Sequence, residues 1–169
     1  MSERAAIVLV GHGGIAKGIP PELVGELKRL EAERQRGGEA HMSEREAELD
    51  RQVRNWPRTP ESDPYKFGLE ALANRLAPRL GGRRLMVAYN EFCAPSVDDA
   101  IDTLVAEGWN RLTLVTTMFT RGGSHAEFEI PALVAAARQR HPRIRIDYAW
   151  PFDLEQIADF LGRHLDACS

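Results

Sequence analysis

Four short apolar runs constrain this chain most: "AAIVLV" (5–10), "RLMVAY" (84–89), "RLTLVTT" (111–117) and "RIRIDYA" (143–149). The first three are rich in Val, Ile and Leu, as in strands covered on both faces. Helical patterns lie between and after them. "PPELVGELKRLEAER" (20–34) opens on prolines suited to a first turn and repeats Leu23, Leu27 and Leu30 at helical spacing. "FGLEALANRLAPRL" (67–80) puts Leu69, Leu72 and Leu76 on one side. "SVDDAIDTLVAEG" (96–108) has a serine N-cap, Asp98 and Asp99 in its first turn, and a stop at Gly108. "AEFEIPALVAAARQR" (126–140) and "FDLEQIADFLGRHL" (152–165) complete the set. Strands that alternate with helices predict an α/β fold with a four-stranded parallel sheet flanked by helices and joined by right-handed crossovers. Ligands of such sheets bind beyond the C-terminal ends of the strands.

The 169 residues fit one α/β domain spanning 1–169, and 43% apolar content is enough for a full core. Residues 35–66 break the rhythm as a charged insertion with three prolines and few apolar side chains. Ser43 and Glu46 form a capping-box pattern within it, and "WPRTPESDP" must be irregular. An insertion of this length is expected beside the cleft as a rim or lid, with Trp56 either a stacking platform or a local packing anchor.

Charge excludes some classes. With 22 basic and 25 acidic residues, the formal net charge of −3 is not that of a general nucleic-acid binder. No apolar run approaches the ~18 residues of a membrane span. Cys93 and Cys168 have no metal-knuckle or disulfide-framework spacing, and Cys93 reads as a small buried hydrophobe. A soluble, cytoplasmic protein is expected.

Three strand-end loops carry suitable polar side chains: "GHGG" (11–14), "YNEFCAPS" (89–96) and "TRGGSH" (120–125). They offer His12, Glu91 and His125, with Asn90, Arg121 and Ser124 nearby. Two neutral imidazoles and a carboxylate suit a divalent first-row metal with open coordination positions, and the same groups can accept protons near neutral pH. Glycines such as Gly13 beside a histidine let a large planar ligand approach the backbone. Plainer readings exist. A lone histidine after a strand is commonly a loop or capping residue, Glu91 can be a helix-entry acid, and Glu127 and Glu129 suit a helix first turn. His41, His141 and His164 read as solvated side chains.

Taken together, "IVLVGHGG", "EFCAPSVDDAIDTLVAEGWNRLTLV" and "GGSHAEFEIPALVAAARQRHPRI" resemble the sirohydrochlorin chelatase family, the class II tetrapyrrole chelatases of CbiX and SirB type. The likeness covers residues 5–14 and roughly 84–152, in order. It implies a chelatase-like half-unit, with the flavodoxin-like three-layer arrangement. It also implies ATP-independent insertion of a divalent metal (iron, cobalt or nickel, as substrate) into a tetrapyrrole such as sirohydrochlorin, with no organic cofactor. By resemblance the metal ligands are His12, Glu91 and His125, which also serve catalysis, and a homodimer completes the cleft. Gly13, Arg121 and Ser124 are the expected substrate contacts, Arg121 pairing with substrate carboxylates alongside Lys17 or arginines of the insertion. The alternative is a non-catalytic carrier of metal or tetrapyrrole using the same residues. A phosphohydrolase with "GHGG" as a phosphate loop lacks the arginines and acids that would cluster near its histidine.

Overall fold

The computed structural model describes residues 3–39 and 41–168. Four parallel strands, β1 (Ala5–Gly11), β2 (Arg84–Tyr89), β3 (Arg111–Thr116) and β4 (Arg145–Tyr148), form one sheet in the order β2-β1-β3-β4. The register pairs Ile7 with Leu85 and with Thr113, and Leu112 with Ile146. The chain leaves β1 toward one edge and returns past it to β3, so the switch point of the sheet lies between β1 and β3, where such folds open a crevice.

Period-two alternation sorts β1 onto two faces. Val8 and Val10 pack with Ile101 and Leu104 of α4 (Val97–Ala106) and with Ile130 and Val134 at α5 (Ile130–Arg140). Leu9 packs on the other face with Leu69 and Ala73 of α3 (Pro64–Leu76) and with Tyr89 and Cys93. Each fully buried leucine or isoleucine contributes about 1.5–3 kcal/mol, so these two layers hold the sheet together. The capping at Ser96 is a complete box: its hydroxyl accepts from the Asp99 amide, and the Asp99 carboxylate accepts from the Ser96 amide.

Two sequence expectations change here. Leu72 is exposed, and Ala73, four residues beyond Leu69 on the same helix face, takes the buried place. The first helix, α1 (Pro21–Gly37), is not a crossover helix. It packs against α2 (Glu44–Arg54) around Val24, Leu27, Leu49 and Val53, with Phe92 from the loop after β2, and α3 covers the sheet. The charged segment 35–66 therefore contributes the second arm of a helical hairpin. Trp56 is part of that small core, which is its packing reading. Ser43 caps α2 by accepting from the Glu46 amide, while the buried Glu46 carboxylate turns to Arg34 at 2.9 Å instead of closing the box.

Between α2 and α3 the chain is irregular and pinned by Arg58. Its guanidinium donates to the carbonyls of Gly14 (2.9 Å), Val53 (3.2 Å) and Phe92, and pairs with buried Asp63, the cap of α3. The last helix, α6 (Leu154–Ala167), is well capped by Asp153 yet buries no residue. Leu154, Phe160, Leu161 and Leu165 are all exposed on it. Among the described residues no helix is long and apolar enough to cross a membrane.

Candidate metal centre

The β1–β2 ladder does not stop where the strands do. The Asn90 amide donates to the Gly11 carbonyl and the Glu91 amide to the His12 carbonyl, both at 2.9 Å. This stitching brings the two loops together, and Gly13 makes it possible. A Cβ there would sit 1.9 Å from the Glu91 carbonyl oxygen, and its φ of +92° is one that L side chains rarely adopt. The glycine thus admits the neighbouring backbone. Gly122, with φ +93°, has open space around it.

His12, Glu91 and His125 converge. One ligand atom of each lies within 4.8 Å of the others. His12 Nε2 is 3.9 Å from Glu91 Oε2, and the two imidazoles meet edge-on with ring centroids 4.6 Å apart. The side chains are 43%, 24% and 21% exposed for His12, Glu91 and His125, so an ion can reach them from solvent. His12 Nδ1 lies 2.7 Å from the Gly13 carbonyl, an oxygen that can only accept. That nitrogen therefore carries the proton, and Nε2 keeps its lone pair toward Glu91. The Tyr65 hydroxyl accepts from the His12 amide at 2.8 Å.

His125 opens a π-helical turn, His125–Glu129, whose wide bond runs from the Ile130 amide to the His125 carbonyl. Pro131 has no N–H to give to Glu127, so regular α-bonding fails at this point, and such turns recur at functional sites. The turn brings Glu129 Oε2 to 2.8 Å from His125 Nδ1, and Asn90 Nδ2 lies 2.8 Å from the same oxygen. Burial opposes ionisation of Glu129, but the hydrogen bonds from His125 and Asn90 outweigh it, and a smaller one from Ser124 adds to them. The carboxyl is held below the usual glutamate range. Tyr148 steadies the turn from β4 by donating to the Ala126 carbonyl at 3.1 Å.

A cleft of about 610 Å³ opens between the α1–α2 hairpin, the β2–α4 loop and α5, within the ~300–1,000 Å³ typical of ligand sites. Glu91, Asn90 and Glu129 line it together with Glu31, Arg34, His41, Met42 and Arg54. The two histidines are not among its lining residues, so Glu91 is the metal-site side chain that both share. The insertion does border the cleft. Burial raises the Glu31 carboxyl above its ordinary range, and the charges of Glu91 and Glu129 push it further. The arginines that line the cleft are occupied: Arg34 by Glu46, and Arg54 by Asp50 and the carbonyls of Cys93 and Asn90. Arg121, Ser124 and Lys17 are exposed on the neighbouring loops, and Arg121 and Lys17 make no ion pair among the described residues. Cys93 is buried, and burial raises its thiol, as fits a packing residue.

Sequence reasoning set Glu129 aside as a helix first-turn acid. The "HAEFE" spacing was the available signal, since residues four apart on a helix share a face. The reach of Arg54 and Arg58 into the site loops carried no signal, because the carbonyls of Asn90, Gly14 and Phe92 that they bind lie 34 to 44 residues away.

Comparison with solved structures identifies the fold. The sirohydrochlorin chelatase SirB of Bacillus subtilis subspecies spizizenii, in complex with cobalt, matches with a TM-score of 0.55 at 19% identity, over 96% of this chain and 50% of that one. A cobalamin (vitamin B12) biosynthesis CbiX protein from Marinobacter aquaeolei VT8 matches with a TM-score of 0.55 at 16% identity, over 96% and 98%. At these identities the likeness concerns the fold. A sirohydrochlorin cobaltochelatase of Priestia megaterium is 31% identical over 70 residues, 41% of this chain and 22% of the relative. A sirohydrochlorin ferrochelatase of the same organism is 24% identical over 81 residues, 47% of this chain and 30% of the relative. The matching segments thus span less than a third of either relative. The family model CbiX matches residues 62–166, which is more than half of the sequence and runs from α3 through both later ligand loops into α6. On that match, the chain belongs to the CbiX family.

Proposed function

We propose that the protein inserts a divalent metal ion (cobalt, iron or nickel) into a tetrapyrrole of the sirohydrochlorin type, without ATP. The observation that carries this reading is the convergence of His12, Glu91 and His125 within 4.8 Å from three separate strand ends. Two imidazole nitrogens and one carboxylate hold the ion as substrate and leave coordination positions for pyrrole nitrogens. The exchange balances: one divalent ion enters the macrocycle and two pyrrole protons leave it. As the ion departs, the Nε2 lone pairs of His12 and His125 become free to accept those protons. Arg121 and Lys17, which make no ion pair among the described residues, are cations suited to substrate carboxylates, and Ser124 and the glycine loops complete that rim.

A second copy of the chain completes the cleft in this reading. Two facts support it: the chain matches half the length of the SirB structure, and α6 leaves the apolar side chains of Leu154, Phe160 and Leu161 exposed. Absorption spectroscopy with excess sirohydrochlorin and cobalt tests the reaction. Many product equivalents per protein are expected, whereas a single equivalent that stays bound would make the protein a carrier.

A further inference from the structure

The two histidines are anchored differently. Each uses Nδ1, but His12 meets a neutral backbone carbonyl and His125 meets a carboxylate. His125 Nδ1 has two neighbours, Glu129 Oε2 at 2.8 Å and Asn90 Nδ2 at 2.9 Å. One tautomer cannot bond to both. If Nδ1 were bare and accepted from Asn90, its lone pair would face the carboxylate oxygen at 2.8 Å, acceptor against acceptor. If Nδ1 carries the proton, it donates to Glu129, and the Asn90 amide donates to the same oxygen at 2.8 Å. Only the second arrangement leaves no repulsive pair around the carboxylate. The Asn90 carbonyl oxygen is buried without a partner among the described residues, so it is the contact with Glu129 that orients the amide.

From the contact between Glu129 and His125 Nδ1 we infer that Glu129 is a positioning residue: it fixes the tautomer and ring orientation of His125, so that Nε2 faces His12 and Glu91. Asn90 steadies the carboxylate in turn. A negative acceptor on Nδ1 also makes Nε2 the stronger donor of the two imidazoles, as outer-sphere carboxylates do for metal-bound histidines. His125 is thus the firmer ligand and His12 the more easily released one. The π-helical turn serves this geometry, because it sets the ligand and its orienting carboxylate in a single turn. This inference rests on the metal-site part of the proposed function and not on turnover.

Two measurements on the full chain test it. Nitrogen NMR of the metal-free protein reads the His125 tautomer directly, and a cobalt titration followed by absorption reads the site. In the unaltered protein His125 is expected as the Nδ1–H tautomer. Glu129→Ala should mix the tautomers, weaken cobalt binding on the order of 10–100-fold and alter the cobalt absorption. Glu129→Gln keeps an acceptor oxygen without the charge, so its loss should fall between the two. It also serves if Glu129→Ala does not fold. Glu127→Gln, on the neighbouring acid, should change neither readout. An Nε2–H tautomer in the unaltered protein overturns the inference. So does a tautomer and cobalt affinity unchanged in both Glu129 variants while His12→Ala abolishes binding, and that result leaves the chelatase reading standing. If the unaltered protein binds no cobalt through His12, the chelatase reading fails, and the NMR arm still decides the role of Glu129.

Discussion

The two ends of the sheet both carry charged side chains and hollows of similar size, about 610 Å³ at the C-terminal edge and about 670 Å³ at the N-terminal edge. What differs is how those side chains are engaged. At the N-terminal edge, arginines stand at or just before the start of every strand. Arg4 donates to the Glu107 carbonyl at 3.0 Å while covering Trp109, and Arg84 donates to the Leu85 carbonyl at 2.9 Å. Arg111 pairs with Glu3 and Arg145 with Asp147, each at 2.7 Å. Carbonyls and acids satisfy these four. At the C-terminal edge, backbone and carboxylate anchors engage one nitrogen of each imidazole, and one ligand atom of each ring lies within 4.8 Å of a Glu91 oxygen. A hollow becomes a candidate site when uncommitted lone pairs converge beside it, as at Glu91, and neither its size nor its count of charged residues decides the matter.

The largest effect expected from this contrast is at the ligands. His12→Ala or His125→Ala should weaken cobalt binding by more than the ~10–100-fold typical of outer-sphere partners. The melting temperature of the metal-free protein should change little, since neither side chain fills the core. Protons compete with the ion for the same nitrogens, so affinity should fall as pH is lowered. Calorimetry at several pH values checks both. A pH-independent affinity, or one that survives either substitution, removes the shared two-histidine site.

Next comes the bolt behind the site. Arg58→Ala leaves buried Asp63 without its partner and releases three carbonyls, so urea unfolding should show a loss of about 3–5 kcal/mol. Because Gly14 and Phe92 lie on the loops that carry His12 and Glu91, cobalt affinity should fall with it. A stability loss with full affinity would mean that the loops hold their shape without the arginine.

Two glycines with nearly the same φ separate strain from collision. Gly122→Ala should cost about 1–2 kcal/mol from its left-handed backbone alone. Gly13→Ala adds the clash with the Glu91 carbonyl, so it should cost more and should also displace the carboxylate, read as weaker cobalt binding. Equal effects from the two would show that the β1 and β2 loops can move apart freely.

The smallest effect belongs to the opposite edge. Arg4→Ala should lose about 1 kcal/mol from its hydrogen bonds to the Glu107 and Gly108 carbonyls and its cation–π contact, all on the surface. Cobalt titration should be unchanged, and an altered affinity would couple the two edges.

Much of this contrast was legible in the sequence. Strand β2 was located to the residue, and the other three strands and the glycine-flanked histidines were placed to within a few positions, because apolar runs and turn residues are local signals. The α1–α2 hairpin was hidden, since helical spacing says which residues are buried but not against what. Glu129 was hidden for a different reason. An acid at that point in a helix has a sufficient explanation in the dipole, and what changes its meaning is Asn90, 39 residues earlier. The same holds for Arg54, whose identity matters only once the turn after β2 is folded beneath it.

The ladder between β1 and β2 continues through the residues that carry His12 and Glu91, and this has a mechanical consequence. Their spacing is inherited from neighbouring strands and is as stiff as the sheet. These two donors cannot part by a hinged loop swinging open, because that would first unzip backbone bonds continuous with the core. An ion leaving them has side-chain torsions to work with, which turn over in picoseconds to nanoseconds where exposed. Hand-over at this pair is therefore a matter of rotating rings and a carboxylate over a fixed frame, and the Glu91 amide should exchange with solvent as slowly as the strands do.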